Sequence, residues 1–454
     1  MLPSDYFNET YLRDYFQRNI LKKKGGGRDN LTPEKYYEKH GNEFDTICQK
    51  CLDGSYRFGY YNEKLIVRGS KKLPRVLSIP TVRDRLVLGV LNDYLSAEFP
   101  ECVSHDIPNV LIHQVAEYIE KHKSEEIVFL RTDFHNYYGS LYVKLLMNMV
   151  GERVRNKAML DLIYQAVITP TVAGDTPKVR KRPYWQGIPQ GLAISNILAS
   201  IYMHGFDEEF GTDSAGLYIR YVDDILFLGV RSDDLKEQML SELNRRNLKL
   251  KLTEEKCKKG IIGTDTLDFI GYVVRDKIFI RQKNVTSFLR RVASLSSKCK
   301  AGIANPHLRP QFIKQNEAYF GFYIEEFNRM LSGFKYGNRL YGWLPYFQSI
   351  TDIAALYGLD RVIRNKFLKG LPQEIASNVH SLVDSYYDIH RNGGNKLLEN
   401  YDLIATVTDK RNYLYRKGRL DPHRTYTEEQ ILNYFDSYMD LLRRISEQNI
   451  GTTS

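Results

Sequence analysis

Asp223 and Asp224 stand side by side in a very apolar run, with Tyr218-Ile219-Arg220-Tyr221-Val222 before them and Ile225-Leu226-Phe227-Leu228 after. Ninety residues upstream, Asp133 closes another apolar run, Ile127-Val128-Phe129-Leu130-Arg131-Thr132. Adjacent carboxylates repel, and placing them among hydrophobic residues costs stability unless a cation joins them. A solvated polar turn is the plainer reading of a bare Asp-Asp. The third acid, at the end of its own apolar strand, argues for more. Three carboxylates from two neighbouring strand ends make an all-oxygen cage suited to Mg²⁺. Two such ions about 4 Å apart would activate a hydroxyl nucleophile and stabilise the leaving group of a phosphoryl transfer.

The elements that must position these acids follow from hydropathy. Glu126 to Asp133 reads as a buried strand, and Leu217 to Leu228 as a hairpin with the acids at its bend. Short β-like runs lie around Leu65-Ile66-Val67 and Arg75 to Ile79, the second closed by Pro80. Helical spacing runs through Arg83–Leu95, Leu141–Val150, Ala193–Phe210 and Asp234–Arg246. A strand near Leu248–Leu252 and a hairpin near Leu267–Ile280 complete this part, and helical patterns dominate from Asn284 onward. Three parts are therefore expected: residues 1–125, residues 126–283 with the acids, and an α-helical region 284–454.

Composition limits the partners. The chain has 454 residues and a formal net charge of +10. From residue 301 on there are 19 basic and 17 acidic residues, so nearly all of the excess lies in the first two-thirds, where a polyanion should bind. No apolar run reaches the length of a spanning helix, and the first residues do not read as a secretory signal, so no membrane partner is expected. Five cysteines are too few for a disulfide scaffold and fit a reducing, cytoplasmic setting. Cys48-Gln49-Lys50-Cys51 is a lone C-x-x-C, better read as two thiols on a helix than as zinc ligands. Tyrosine is abundant, 33 in all, against 2 Trp.

Three segments in order resemble motifs of reverse transcriptases: Asp133-Phe134-His135-Asn136-Tyr137-Tyr138, Gly187-Ile188-Pro189-Gln190-Gly191-Leu192-Ala193-Ile194-Ser195-Asn196, and Tyr221-Val222-Asp223-Asp224. Flanking segments extend the likeness to the bacterial, group II intron-like branch. Leu73 to Arg85 resembles its fingers segment, Gly26-Gly27-Arg28-Asp29 its N-terminal extension, and Phe269-Ile270-Gly271-Tyr272 its primer-grip hairpin. The resemblance implies an α+β fold, a right-hand polymerase with fingers and palm (an antiparallel sheet backed by helices), followed by an all-α C-terminal domain. It makes residues 1–125 the N-terminal extension and fingers, and residues 126–283 the palm.

Carried over residue by residue, the likeness implies that Asp133, Asp223 and Asp224 hold two Mg²⁺ ions, or Mn²⁺ in their place, with the Phe134 carbonyl as a further ligand. Tyr138 matches a steric gate whose ring would clash with a ribose 2′-hydroxyl. Gln190 matches the residue lining the incoming sugar, and Gly191 one that lets the template approach the backbone. Arg75 matches a clamp on the triphosphate, a task Lys71 or Lys72 would share. Lys256 matches a general acid toward pyrophosphate. Phe269, Gly271 and Tyr272 would form the primer grip.

Two departures bear on the branch. The group II intron pattern usually has Ser-Pro where this chain has Ser195-Asn196, and the C-terminal region lacks a paired-cysteine endonuclease module. A polymerase core joined to a helical C-terminal domain looks more like abortive-infection and other defence-associated reverse transcriptases of bacteria. The expected function is thus RNA-directed polymerisation of dNTPs, with an RNA template or noncoding RNA and a DNA product as partners. Homo-oligomers would form through the helical domain. The alternatives are untemplated or protein-primed DNA synthesis, and a maturase-like RNA-binding protein. Fourteen tyrosines beyond residue 300, among them Tyr386, Tyr387, Tyr413, Tyr415, Tyr434 and Tyr438, include any protein primer. The basic and aromatic run Arg411 to Lys417 reads either as a stacking surface for single-stranded bases or as a solvated helix face.

Overall fold

The computed structural model of the chain describes residues 2–21, 25–67, 73–103, 108–174, 185–212, 216–230 and 235–450. It divides into two compact units, Met1–Asp106 with Leu130–Lys259, and Ile107–Phe129 with Gly260–Ser454. These limits differ from the sequence boundaries at 125/126 and 283/284. One hydrophobic core, running from Phe7 through Leu86, Leu130 and Leu198 to Leu252, ties the N-terminal helices and the strands that carry Asp133 and Asp224 into the first unit.

Among the described residues the strands, in chain order, are β1 (Tyr61–Ile66), β2 (Arg75–Ile79), β3 (Val128–Asp133), β4 (Thr171–Val172), β5 (Gly216–Tyr221), β6 (Asp224–Gly229) and β7 (Lys258–Ile261). β1 pairs antiparallel with β2 and parallel with β4. A second sheet has the order β5-β6-β3-β7, so the strand ending in Asp133 lies beside the strand opened by Asp224. Helices Val82–Glu98, Val143–Gly151 and Ser195–Thr212 contribute to the same core. The first of these starts where its sequence says it should. The Thr81 hydroxyl accepts from the Asp84 amide, and the buried Asp84 carboxylate accepts from the Tyr56 hydroxyl at 2.7 Å and the Gly59 amide at 3.0 Å. Gly27 is required by close approach, since a Cβ there would lie 2.4 Å from the Thr81 Cα.

The expected strand at Leu248–Leu252 is not a strand. Asn247 and Lys249 both sit at φ +56°, which breaks the extended run, and a single bridge, Leu252 to Phe134, remains. The sheet edge is formed instead by β7, whose Lys258-Lys259-Gly260 hides the strand signal.

In the second unit, β8 (Leu267–Phe269), β9 (Tyr272–Val274) and β10 (Ile278–Ile280) form an antiparallel meander. Helices Gln282–Ala304, Asn316–Leu331, Ile353–Val362, Leu382–Asn392, Val407–Arg416 and Glu428–Ile450 follow. The region is helical as expected, with one small sheet added: β11 (Phe334–Tyr336), β12 (Arg339–Tyr341) and β13 (Glu399–Asn400). Gly337 and Asn338, at φ +58° and +59°, make the two-residue turn between β11 and β12. The α+β class therefore holds. No helix among the described residues is long and apolar enough to cross a membrane.

Candidate active site

β5 and β6 pair in register from Gly216–Gly229 to Tyr221–Asp224, leaving only Val222 and Asp223 to turn the chain. Val222 takes φ +60°, a region that a β-branched residue enters only under strain of about 1–3 kcal/mol. That strain is held in place from below. Arg220 donates to the Val222 carbonyl at 2.9 Å, and its guanidinium forks onto Asp207 at 2.8 and 2.5 Å. The Tyr218 hydroxyl donates to the same Asp207 carboxylate at 2.8 Å. Helix Ser195–Thr212 thus fixes the turn that presents Asp223. Sequence reasoning did not single out Arg220 or Asp207, although their charges inside apolar segments were visible.

The third acid is locked to this turn through the main chain. The Phe134 amide donates to the Asp223 carbonyl at 3.2 Å, the His135 amide to Lys251 at 2.8 Å, and the Thr253 amide to the Asp133 carbonyl at 2.8 Å. The last two bonds are what the missing strand does instead: the 248–253 segment braces the residues around Asp133. The Phe134 ring stacks on Tyr137 with centroids 5.6 Å apart, so the main chain at Phe134 has little freedom.

Asp133 is 3% exposed. The Lys256 ammonium meets its Oδ2, while its Oδ1 is buried without a hydrogen-bond partner. Asp224 accepts from Arg131 at 2.7 Å. Arg131 is a third residue that sequence reasoning missed; it stands two positions before Asp133, on the same face of β3, and the period-2 rule would have found it. Asp223 has no ion pair among the described residues. Burial, then the charges of Asp224 and Asp133, push the Asp223 carboxyl above the usual carboxylate range. Burial also raises Asp224, with Asp133 adding to the rise and Arg131 opposing it. A buried, oxygen-only donor set with an excess of negative charge and one orphaned carboxylate oxygen fits a hard divalent cation.

Next to the acids lies a second group. The loop from Gly187 to Ile194 is bonded on one side to the segment of Tyr138, through Ile188 N to Tyr138 O at 2.9 Å. On the other side the Ser78 amide of β2 donates to the Gln190 carbonyl at 2.8 Å. Arg75 opens β2, and its charge is felt by the Tyr138 hydroxyl. Arg75, Tyr138, Gln190 and Gly191 are therefore brought together. Tyr138 is half-buried, its pKa pushed up to about 12 chiefly by burial, and its hydroxyl donates to Asn196 at 2.6 Å. Asn196 is the very position at which the motif departs from Ser-Pro. Gly191 sits at φ +98° with room for a Cβ, so its backbone conformation alone calls for glycine. Lys71 and Lys72 lie outside the described residues.

The remaining expected residues belong to the second unit. Phe269 and Tyr272 are fully buried, and the Tyr272 hydroxyl donates to the Tyr346 carbonyl. Between them, Ile270 and Gly271 turn the chain at φ +37° and +91°. The two side chains serve the unit's own packing, and the turn between them is buried as well: the Ile270 carbonyl accepts from the Tyr346 hydroxyl at 3.0 Å and the Gly271 carbonyl from the Arg281 amide at 3.1 Å. Among the C-terminal tyrosines named above, Tyr386, Tyr413 and Tyr438 are buried, whereas Tyr434 is 46% exposed. In the run Arg411 to Lys417, Tyr413, Leu414 and Lys417 turn inward, while Asn412 and Arg416 stay exposed and form a solvated face.

Cys48 and Cys51 lie buried on one helix, and burial raises both thiols, Cys48 to about 12. A group of metal-ligating types away from the aspartates, Glu101, Cys102 and His204, is compromised by Arg153, which pairs with Glu101 at 2.7 Å. Burial also pushes the Cys102 thiol up to about 12.

Residues 67–274 match the family described as reverse transcriptase (RNA-dependent DNA polymerase). The group II intron-encoded protein LtrA of Lactococcus lactis subsp. cremoris is 23% identical over 195 residues, 42% of this chain and 32% of LtrA. The chain thus spans about a third of the length of the curated relatives it matches. Similar solved structures include telomerase from Candida albicans in complex with a fragment of telomeric RNA, at TM-score 0.41 and 13% identity, covering 90% of this chain and 68% of that one. Apo telomerase from Candida tropicalis has TM-score 0.42 and 12% identity, covering 79% and 68%.

Proposed function

We propose that this chain, whose residues 67–274 match a reverse transcriptase family, is a group II intron-like reverse transcriptase that polymerises deoxynucleotides on an RNA template by two-metal phosphoryl transfer. The observation that carries the reading is the acidic trio, with its negative excess and the orphaned Oδ1 of Asp133. Mg²⁺, or Mn²⁺ in its place, held by Asp133, Asp223, Asp224 and the Phe134 carbonyl, would activate the attacking 3′-hydroxyl and neutralise charge on the leaving group. The chain's own residues do the rest. Arg75 clamps the triphosphate with its planar fork, aided by Lys72. The Tyr138 ring, steadied by Asn196, blocks a ribose 2′-hydroxyl, and Gln190 and Gly191 shape the surface under the sugar and the template. Lys256, held at Asp133, is placed to pass a proton from Nζ to the departing pyrophosphate. The hairpin that carries Phe269, Gly271 and Tyr272 would steady the primer as a packed unit.

Primer extension on a supplied RNA tests this reading. The product should be complementary DNA, and Tyr138→Ala should admit ribonucleotides. Incorporation that ignores the template sequence would replace the RNA-directed reading with an untemplated one. For the cellular role we propose bacterial anti-phage defence in the cytoplasm, on the strength of the motif set joined to a helical C-terminal region. Equal phage plating on cells with and without the protein would remove that role.

A further inference from the structure

The C-terminal unit contains a second site of unbalanced charge, this time positive. A cavity of about 290 Å³ is walled by three helices and floored by aromatic rings. Helix Gln282–Ala304 supplies Arg291 and Lys298, spaced seven residues apart and so on one face. Helix Asn316–Leu331 supplies Glu326 and Arg329, and helix Glu428–Ile450 supplies Leu442 and Ser446. Under them, the rings of Phe288 and Trp343 stack with centroids 4.0 Å apart and planes 9° from parallel.

The polar groups of this wall are short of partners. Among the described residues, Arg291 Nε and Nη2 are buried with no hydrogen-bond partner, and the guanidinium bonds through Nη1 to the Ser287 hydroxyl at 3.1 Å. Burial lowers the pKa of the Arg291 guanidinium, and no acid offsets the effect. Arg329 Nε is orphaned too, as is the indole N–H of Trp343, a residue only 2% exposed. Among the described residues the acid in the wall, Glu326, is already committed: it pairs with Arg329 and lies 3.5 Å from the Lys417 ammonium. A desolvated cation without a counter-ion is costly, and a guanidinium fork matches the oxygens of a phosphoryl group.

We propose that this cavity binds a small phosphate monoester, its phosphoryl group held by Arg291, Arg329 Nε and Lys298. The volume is close to the lower limit of small-molecule sites, about 300 Å³, which suits a mononucleotide or free phosphate and excludes a larger cofactor. The site lies outside the aspartate centre and needs no divalent metal.

Thermal unfolding of the full chain in EDTA tests the proposal, with inorganic phosphate, dAMP and, as a charge control, chloride at equal ionic strength. Phosphate or dAMP at about 100 times its Kd should raise Tm by roughly 5 °C, chloride should not, and Arg291→Met should abolish the shift. Without ligand, Arg291→Met should keep or raise Tm, because it removes an unpaired buried cation; this also verifies that the variant folds. Equal shifts from phosphate and dAMP assign the phosphoryl group alone as the determinant, while tenfold tighter dAMP binding assigns the nucleoside a part. No shift with either ligand, or a shift that survives in Arg291→Met, would overturn the site. An oligonucleotide that binds through Arg291 when neither small ligand does would overturn it as well, in favour of a backbone contact.

Discussion

At the aspartate centre, three acids face two bases. Arg131 takes Asp224, Lys256 takes one oxygen of Asp133, and Asp223 is left without an ion pair among the described residues. In the C-terminal unit a second buried cluster has the opposite character. Lys417, with its side chain 0% exposed, lies 2.5 Å from Glu325 and 3.5 Å from Glu326, and Glu326 also holds Arg329. Tyr401 donates to Glu399 at 2.9 Å beside them. Acids and bases alternate there, inside a core of Tyr401, Tyr413, Phe435 and Tyr438. Both clusters are desolvated, so burial alone does not separate a site from a scaffold. Charge balance does: Arg416 also lies 3.5 Å from Glu325, which gives the C-terminal cluster three bases for its three acids, whereas the aspartate centre is one base short among the described residues.

This contrast can be broken by substitution. The largest effect should come from Asp223→Asn with Asp224→Asn, which removes the open charge. Labelled dNTP incorporation should fall to background, while the unfolding midpoint in metal-free buffer rises because repulsion is relieved. Lys417→Met should do the reverse. Leaving Glu325 and Glu326 buried without their cation should cost about 3–5 kcal/mol in chemical denaturation, whereas primer extension per folded molecule should stay near wild type.

Arg220→Lys comes next. The charge survives but the fork onto Asp207 and the bond to the Val222 carbonyl do not, so incorporation should drop about 10- to 100-fold, as when an outer partner of a metal site is lost. A variant with wild-type kinetics would show that the turn needs no brace. The smallest effect is expected at Val222→Gly, where relief of the φ +60° strain should stabilise the fold by about 1 kcal/mol in an equilibrium melt. A loss of stability there would mean that the valine packs more than it strains.

Much of this architecture is legible in the sequence, for identifiable reasons. Strands and helices with long apolar periodicity, such as Val128–Asp133, Val82–Glu98 and the hairpin around Asp223, fall within a few residues of their expected positions. What escaped depends on backbone geometry or on partners distant in the chain. The strand Lys258–Ile261 is built from residues with little β signal, and the segment Leu248–Leu252 loses its regularity to two left-handed residues. The Gly337-Asn338 turn joins two strands too short, at three residues each, to leave a period-2 pattern within a helical region. At the site, the three acids and their turn were readable from type and spacing. Arg131 and Arg220 were not, because an arginine's role depends on which carboxylate the fold sets against it. Buried Tyr413 and Lys417 show the same limit in the helical region, where a basic-aromatic run turns inward to meet acids some ninety residues earlier.

The central claim is that the open charge of Asp133, Asp223 and Asp224 is a divalent-metal centre. Calorimetric titration of Mn²⁺ into the full chain, wild type against Asp223→Asn with Asp224→Asn, tests it most directly. The wild type should take up metal at this centre and the variant should lose that uptake, with Mg²⁺ competing. Equal Mn²⁺ binding by the two proteins would contradict the account.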